Sequence, residues 1–247
     1  MTLAVPRRQM LITTSWDDGH PLDFRIADLL SKYGLPGTFY VPIKNSRPTL
    51  SPTQIRNLAQ CFEIGAHTVN HVMLAGVEPL RAKSEIVDCK NQLEDILGRS
   101  CPIFCFPGGS YNSIHLEMLR DAGFLAARTV ELLSFERPHR KHGIALIPTT
   151  IQAYSHRTVS YLQNAAKRLS IRGFTNLLLS GPTKLWPELA YRLLERAASN
   201  GGVFHLWGHS WEIEEKGQWD SLDQILSILV AYKNRALLTT NAGTVQK

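Results

Sequence analysis

The sequence predicts an α/β fold: a parallel sheet with helices between its strands, closed into a barrel. Three observations carry this. Seven short apolar runs rich in β-branched and aromatic residues alternate with amphipathic, helix-period runs along the 247 residues. At that length seven repeats close into one barrel more economically than they open into a sheet beside a second domain, so a single domain over 1–247 is expected. Acid and imidazole side chains gather directly after strand-like runs, the end where such folds place ligand chemistry. A doubly wound open sheet is the alternative that the pattern leaves standing.

The first strand is "QMLITTSW" (9–16), an apolar run broken off by Asp17, Asp18 and Gly19. A helix over 23–34 follows, because Phe24, Ile26, Ala27, Leu29 and Leu30 share a face and Gly34 stops it. "GTFYVP" (37–42) is the second strand. Ser51 before Pro52 starts a helix over 51–60. "FEIGAH" (62–67) is the third strand, and the long helix over 78–98 again ends on glycine. "PIFCFP" (102–107) is the fourth strand, followed by a helix over 113–123. "GFLAARTV" (123–130) and "GIALIPTT" (143–150) are the fifth and sixth. Helices over 157–170 and 185–200 lead to the seventh strand, "GGVFHLWGH" (201–209), and a helix over 221–234 completes the set.

Composition narrows the function. Hydrophobic residues at 44% and charged residues at 19% describe an ordinary globular chain. The net charge is +6, but Lys and Arg are scattered apart from "RPHRKH" (137–142), so no nucleic-acid partner is expected. No apolar run reaches the ~18 residues of a membrane span. The pair Arg7 and Arg8 follows the first apolar stretch, unlike a secretory signal, and a cytoplasmic location is expected. Cys61, Cys89, Cys101 and Cys105 contain no CxxC pair and read as reduced thiols.

The strand ends hold the chemistry. Two adjacent carboxylates, Asp17 and Asp18, repel unless one is compensated. His67 and His71 are four apart; on one helical turn such residues point the same way and can share a metal ion. A carboxylate from a neighbouring strand end would complete a hydrolytic site with open positions. One aspartate would then bind the metal and the other remain as a base. In "FPGGSYN" (106–112), Gly108 and Gly109 allow a sharp turn that exposes N–H groups, as an oxyanion needs. In the last strand His205, Trp207 and His209 share a face. His209, nearer the carboxyl end, is the candidate general acid, and His205 is expected to pack inside the barrel. Each piece alone has a plainer reading: a helix N-cap, two unrelated histidines, a tight loop.

"TTSWDDG", "HTVNH", "CFPGGSYN" and the strand ending in His209 stand in the order and spacing of the polysaccharide deacetylase family, the NodB-like carbohydrate esterases, which the whole chain resembles. The resemblance implies a distorted (β/α)7 barrel of TIM-like type and metal-dependent removal of an N- or O-acyl group, usually acetyl from an amino sugar. It implies Asp17 as general base, Asp18, His67 and His71 as metal ligands, the Gly108 N–H as an oxyanion donor and His209 as general acid. Two departures stand out. The arginine that orients the base in the family is replaced by Cys105, and the family's buttress for the acid has no counterpart in "FLAARTVELLSF" (124–135). Arg128, near the end of that strand, is the candidate to reach Asp17; otherwise it is a surface residue capping the next loop.

The expected protein is thus a deacetylase of a soluble, nucleotide-linked or lipid-linked amino-sugar precursor, with zinc the best match to His/His/Asp ligation. The alternatives are a carbohydrate-binding protein that has lost catalysis, for which Cys105 speaks, and a hydrolase of non-carbohydrate amides such as formamides or cyclic imides.

Overall fold

The computed structural model describes residues 9–167, 171–181, 183 and 185–245. Arg7, Arg8 and the last three residues of the helix expected over 157–170 lie outside the described residues. Strand β1 (Met10–Asp17) is the hub, and all eight of its residues are buried. Its sequence alternates. Ile12 and Trp16 face the helices in the main apolar core, while Thr13, Ser15 and Asp17 meet polar partners across the barrel interior. Parallel strands β2 (Thr38–Val41), β3 (Glu63–Ala66), β4 (Ile103–Cys105) and β5 (Ala126–Arg128) follow on one side in chain order. Their crossovers are helices α1 (Asp23–Tyr33), α2 (Pro52–Leu58), α3 (Pro79–Leu97) and α4 (Ser113–Asp121). Ser51 and Gln54 form the reciprocal cap that starts α2.

The ring closes through one interrupted run. After β5 the chain makes a short hairpin, β6 (His139–Lys141) antiparallel to β7 (Ile144–Ile147). β7 pairs with β5. Three residues later β8 (Ile151–Gln152) pairs with β9 (Val203–Gly208), which lies along β1. Residues 144–152 therefore pass from β5 to β9 and complete a ring of seven parallel segments, interrupted where Pro148 has no N–H to offer a ladder. The expected strand over 143–150 is this run, and the interruption is the distortion of the barrel. The basic cluster at 137–142 forms the exposed strand β6.

Helices α5 (Thr158–Lys167), α6 (Ile171–Ser180) and α7 (Trp186–Asn200) separate β8 from β9, and α8 (Ser210–Glu215) and α9 (Trp219–Ala231) follow β9. β10 (Ala236–Leu238) pairs with the start of β1 and leads to α10 (Asn241–Val245). α10 floors the barrel. Asn241 accepts from the Thr13 hydroxyl at 2.9 Å, donates to the Tyr40 hydroxyl at 2.9 Å, and its N–H donates to Thr38 Oγ1 at 3.0 Å. Ala242 and Val245 pack on the interior cluster of Tyr40, Ile103, Cys105, Ala126, Ala145 and Ile147. The larger core lies between strands and helices, where each buried Leu, Ile or Phe contributes ~1.5–3 kcal/mol. Among the described residues no helix is long and apolar enough to cross a membrane.

Candidate metal centre and active site

Asp17 is the last residue of β1, and Asp18 begins the turn beyond it with φ 78°. That left-handed backbone is uncommon outside glycine, and it swings the second carboxylate away from the first. Asp17 points into the barrel and Asp18 toward the end of β3. There His67 and His71 present their Nε2 atoms to Asp18 Oδ1 at 3.6 and 2.9 Å. The two histidines do not share a helical turn, which corrects the geometry expected of their spacing. β3 ends at Ala66, and residues 67–73 form an irregular loop in which Thr68 (φ 65°) and His71 (φ 51°) are left-handed. Glu85 of α3 pins that loop, accepting from the Asn70 N–H at 2.8 Å and its side-chain amide at 2.7 Å.

Each aspartate has one oxygen anchored by a hydrogen bond. Asp17 Oδ2 accepts from the Arg128 guanidinium, and Asp18 Oδ2 from the Trp211 indole N–H at 2.9 Å. Asp17 Oδ1 is buried without a hydrogen-bond partner, whereas Asp18 Oδ1 is buried facing only the two imidazole Nε2 atoms. Burial pushes the Asp17 and Asp18 carboxyls up, but Arg128 beside Asp17, and His67 and His71 beside Asp18, outweigh it and hold both below the usual carboxylate range. Both are ionised.

Among the described residues two donor groups could hold a metal ion: Asp18 with His67 and His71, and Asp17 with His67 and Cys105. The first fits. Its carboxylate oxygen and two imidazole nitrogens converge on one point, and His67 Nδ1–H donates to the Cys105 carbonyl at 2.8 Å, which turns the Nε2 lone pair toward that point. The second does not. Burial pushes the Cys105 thiol far up, and Arg128 already claims Asp17.

Arg128 is fully buried, so it is no surface cap. It is the register partner of Cys105 on the adjacent strand, and the Cys105 Sγ lies 3.9 Å from Asp17 Oδ2. A guanidinium thus reaches Asp17 from one strand further round the barrel, over the small side chain of Cys105. It lies 4.5 Å from the Trp207 ring centroid and 5.5 Å from that of Tyr40.

His209 follows β9 and packs against Trp207 and Trp211. Its Nδ1–H donates to Glu212, one turn into α8. Glu212 Oε2 also accepts from Gln152 Nε2 at 2.8 Å, whose oxygen accepts from His156 at 2.8 Å. Burial alone would lower the His209 pKa; the Glu212 hydrogen bond and the fields of Asp17 and Asp18 outweigh it and raise it. His205 sits inside the barrel. Nδ1–H donates to the Pro148 carbonyl at 2.9 Å, Nε2 accepts from Ser15 at 2.8 Å, and burial lowers its pKa to about 3, so it is neutral. Gly108, at φ 58°, turns the loop after β4 against Met73, two residues past His71. The sequence reading missed Glu212, Trp211 and Gln152. The i,i+3 spacing of His209 and Glu212 was the available signal.

Comparison with known proteins adds the following. The profile of the family described as polysaccharide deacetylase matches residues 4–127, which carry Asp17, Asp18, His67, His71 and Gly108 and stop just short of Arg128. The peptidoglycan-N-acetylglucosamine deacetylase of Bacillus cereus is 27% identical over 127 residues, 50% of this chain and 58% of that one. The chain spans about half the length of the curated relatives it matches. A solved structure from Mycobacterium smegmatis assigned to the polysaccharide deacetylases superposes with a TM-score of 0.72 at 17% identity, over 99% of this chain and 92% of that one. The Puue allantoinase gives the same TM-score at 10% identity, over 98% and 91%. At such identities both show the fold alone.

Proposed function

This chain belongs to the polysaccharide deacetylase family, and from that premise we propose that it is a metal-dependent hydrolase that removes acetyl from the nitrogen of an amino sugar, with its one domain carrying the reaction. The observation that carries the reading is the divided labour of the two buried aspartates: Asp17 is held by Arg128 at one oxygen and free at the other, while Asp18 is held by Trp211 at one oxygen and faces two imidazoles with the other. A divalent ion, zinc best matching His/His/Asp, would be held by Asp18, His67 and His71 and would supply Lewis-acid polarisation of the acyl carbonyl and of water. Asp17 Oδ1, ionised and without a hydrogen bond, takes a proton from the attacking water as the new C–O bond forms. Arg128 keeps that carboxylate oriented. The Gly108 N–H contributes a donor to the carbonyl oxygen as it becomes anionic. His209, protonated and oriented by Glu212, gives its proton to the nitrogen as the C–N bond breaks.

The purified chain loaded with zinc should release acetate from an N-acetylglucosamine oligomer, and chelation should stop it. A metal-loaded, folded chain that releases none from N-acetylated sugars would overturn the reading.

The acid is testable through pH. Because its pKa is raised, His209 stays protonated above the ordinary imidazole value, and activity is lost as pH rises through the raised value. Glu212→Gln removes the largest raising influence, so the alkaline limb of kcat/KM should move to lower pH. An unmoved limb would show that another group sets it.

A further inference from the structure

Helix α6 is built inside out. It buries Gly173, Asn176, Leu177 and Ser180, and leaves Ile171, Phe174, Leu178 and Leu179 to solvent, with Ile171 and Leu178 each 80% exposed. A surface helix of a globular protein does the reverse. Polar contacts hold this orientation: the Asn176 amide donates to the Leu133 carbonyl at 2.8 Å and accepts from Arg196 at 3.2 Å. Rolling the apolar face inward would break both and leave buried groups unsatisfied. The neighbouring helix α5 adds exposed Val159 and Leu162, and Leu185 before α7 is exposed too.

Charge identifies what covers this face. From Arg137 to Pro187 the chain has eight Lys and Arg and no Asp or Glu. The rest holds nineteen basic against 21 acidic residues once those eight are set aside, so the whole of the +6 arises in this one stretch. The basic residues are scattered; it is the acids that are missing. Arg157, Lys167 and Arg172 are exposed on or beside α5 and α6, and Arg172 pairs with Glu136, just outside the acid-free stretch.

We propose that α5 and α6 seat this protein on an anionic membrane surface, with the apolar side chains of α6 at the acyl boundary and the flanking cations among the phosphates. A second copy of the chain is a poor occupant, because it would bring the same net positive charge to the contact. The proposal does not rest on the catalytic reading, and its test does not use turnover. The full chain should float with vesicles of phosphatidylglycerol and phosphatidylcholine but not with phosphatidylcholine alone, and added salt should weaken the binding. Leu178→Glu should reduce partitioning about tenfold or more with the unfolding midpoint unchanged, since that side chain is largely exposed. Leu125→Glu, at an exposed leucine outside these helices, should leave binding as it was. Three results would overturn the proposal: no flotation on the anionic vesicles, flotation indifferent to Leu178→Glu, or a lipid-free dimer that Leu178→Glu dissolves.

Discussion

Arg128→Met is expected to lower both stability and turnover while leaving zinc content intact. The guanidinium is fully buried between Tyr40 and Trp207, and its charge is answered by Asp17 alone among the described acids hydrogen-bonded to it. Methionine keeps much of the bulk but strands a buried carboxylate, a change worth about 3–5 kcal/mol of stability. Turnover should fall ~10²-fold or more, the scale expected when a positioning group is lost. Urea unfolding, metal analysis and steady-state kinetics read these separately. Adding Asp17→Asn to Arg128→Met should recover part of the stability, because the stranded charge is then gone, and none of the activity. Near-normal kcat in Arg128→Met would reduce the arginine to a structural counter-ion.

Asp17→Asn and Asp18→Asn should fail in different ways. Asp17→Asn removes the base yet keeps the donor set of Asp18, His67 and His71, so zinc should remain stoichiometric while kcat falls ~10²–10⁴-fold. Asp18→Asn removes the anionic donor and should weaken zinc binding itself. His71→Asn should do the same. Asparagine is the better replacement here because it tolerates the left-handed backbone of His71, so loss of metal would not be confused with loss of fold. Equal metal loss in both aspartate variants would mean that the carboxylates act as one unit.

The parts legible in the sequence are those whose signal is local. Strand runs such as "QMLITTSW" and "GTFYVP" are continuous and apolar enough to read directly, and Asp17, Asp18, His67 and His71 stand in dense clusters at their ends. What stayed hidden depends on distant partners or on reversed patterns. Glu212 lies in a six-residue helix, too short for periodicity to show; its i,i+3 spacing from His209 is local, but the tie to Gln152 that fixes it comes from a distant strand. β10 is three residues long and exists because β1 offers it an edge. α6 does carry a helix-period stripe, Ile171, Phe174 and Leu178, but no sequence pattern says that this stripe faces outward, because the Asn176 contacts that fix it lie on distant segments. The turn holding His67 and His71 depends on Glu85 in the following helix, and nothing in "HTVNH" alone distinguishes it from a helical turn.

The floor laid by α10 bears on traffic. With Asn241 tied to Thr13, Thr38 and Tyr40, and Ala242 and Val245 packed under Tyr40 and Cys105, the barrel has no back exit among the described residues. On the proposed reaction a substrate would therefore enter by the rim that carries Asp17, His71 and His209, and both halves of the cleaved amide would leave by that one doorway.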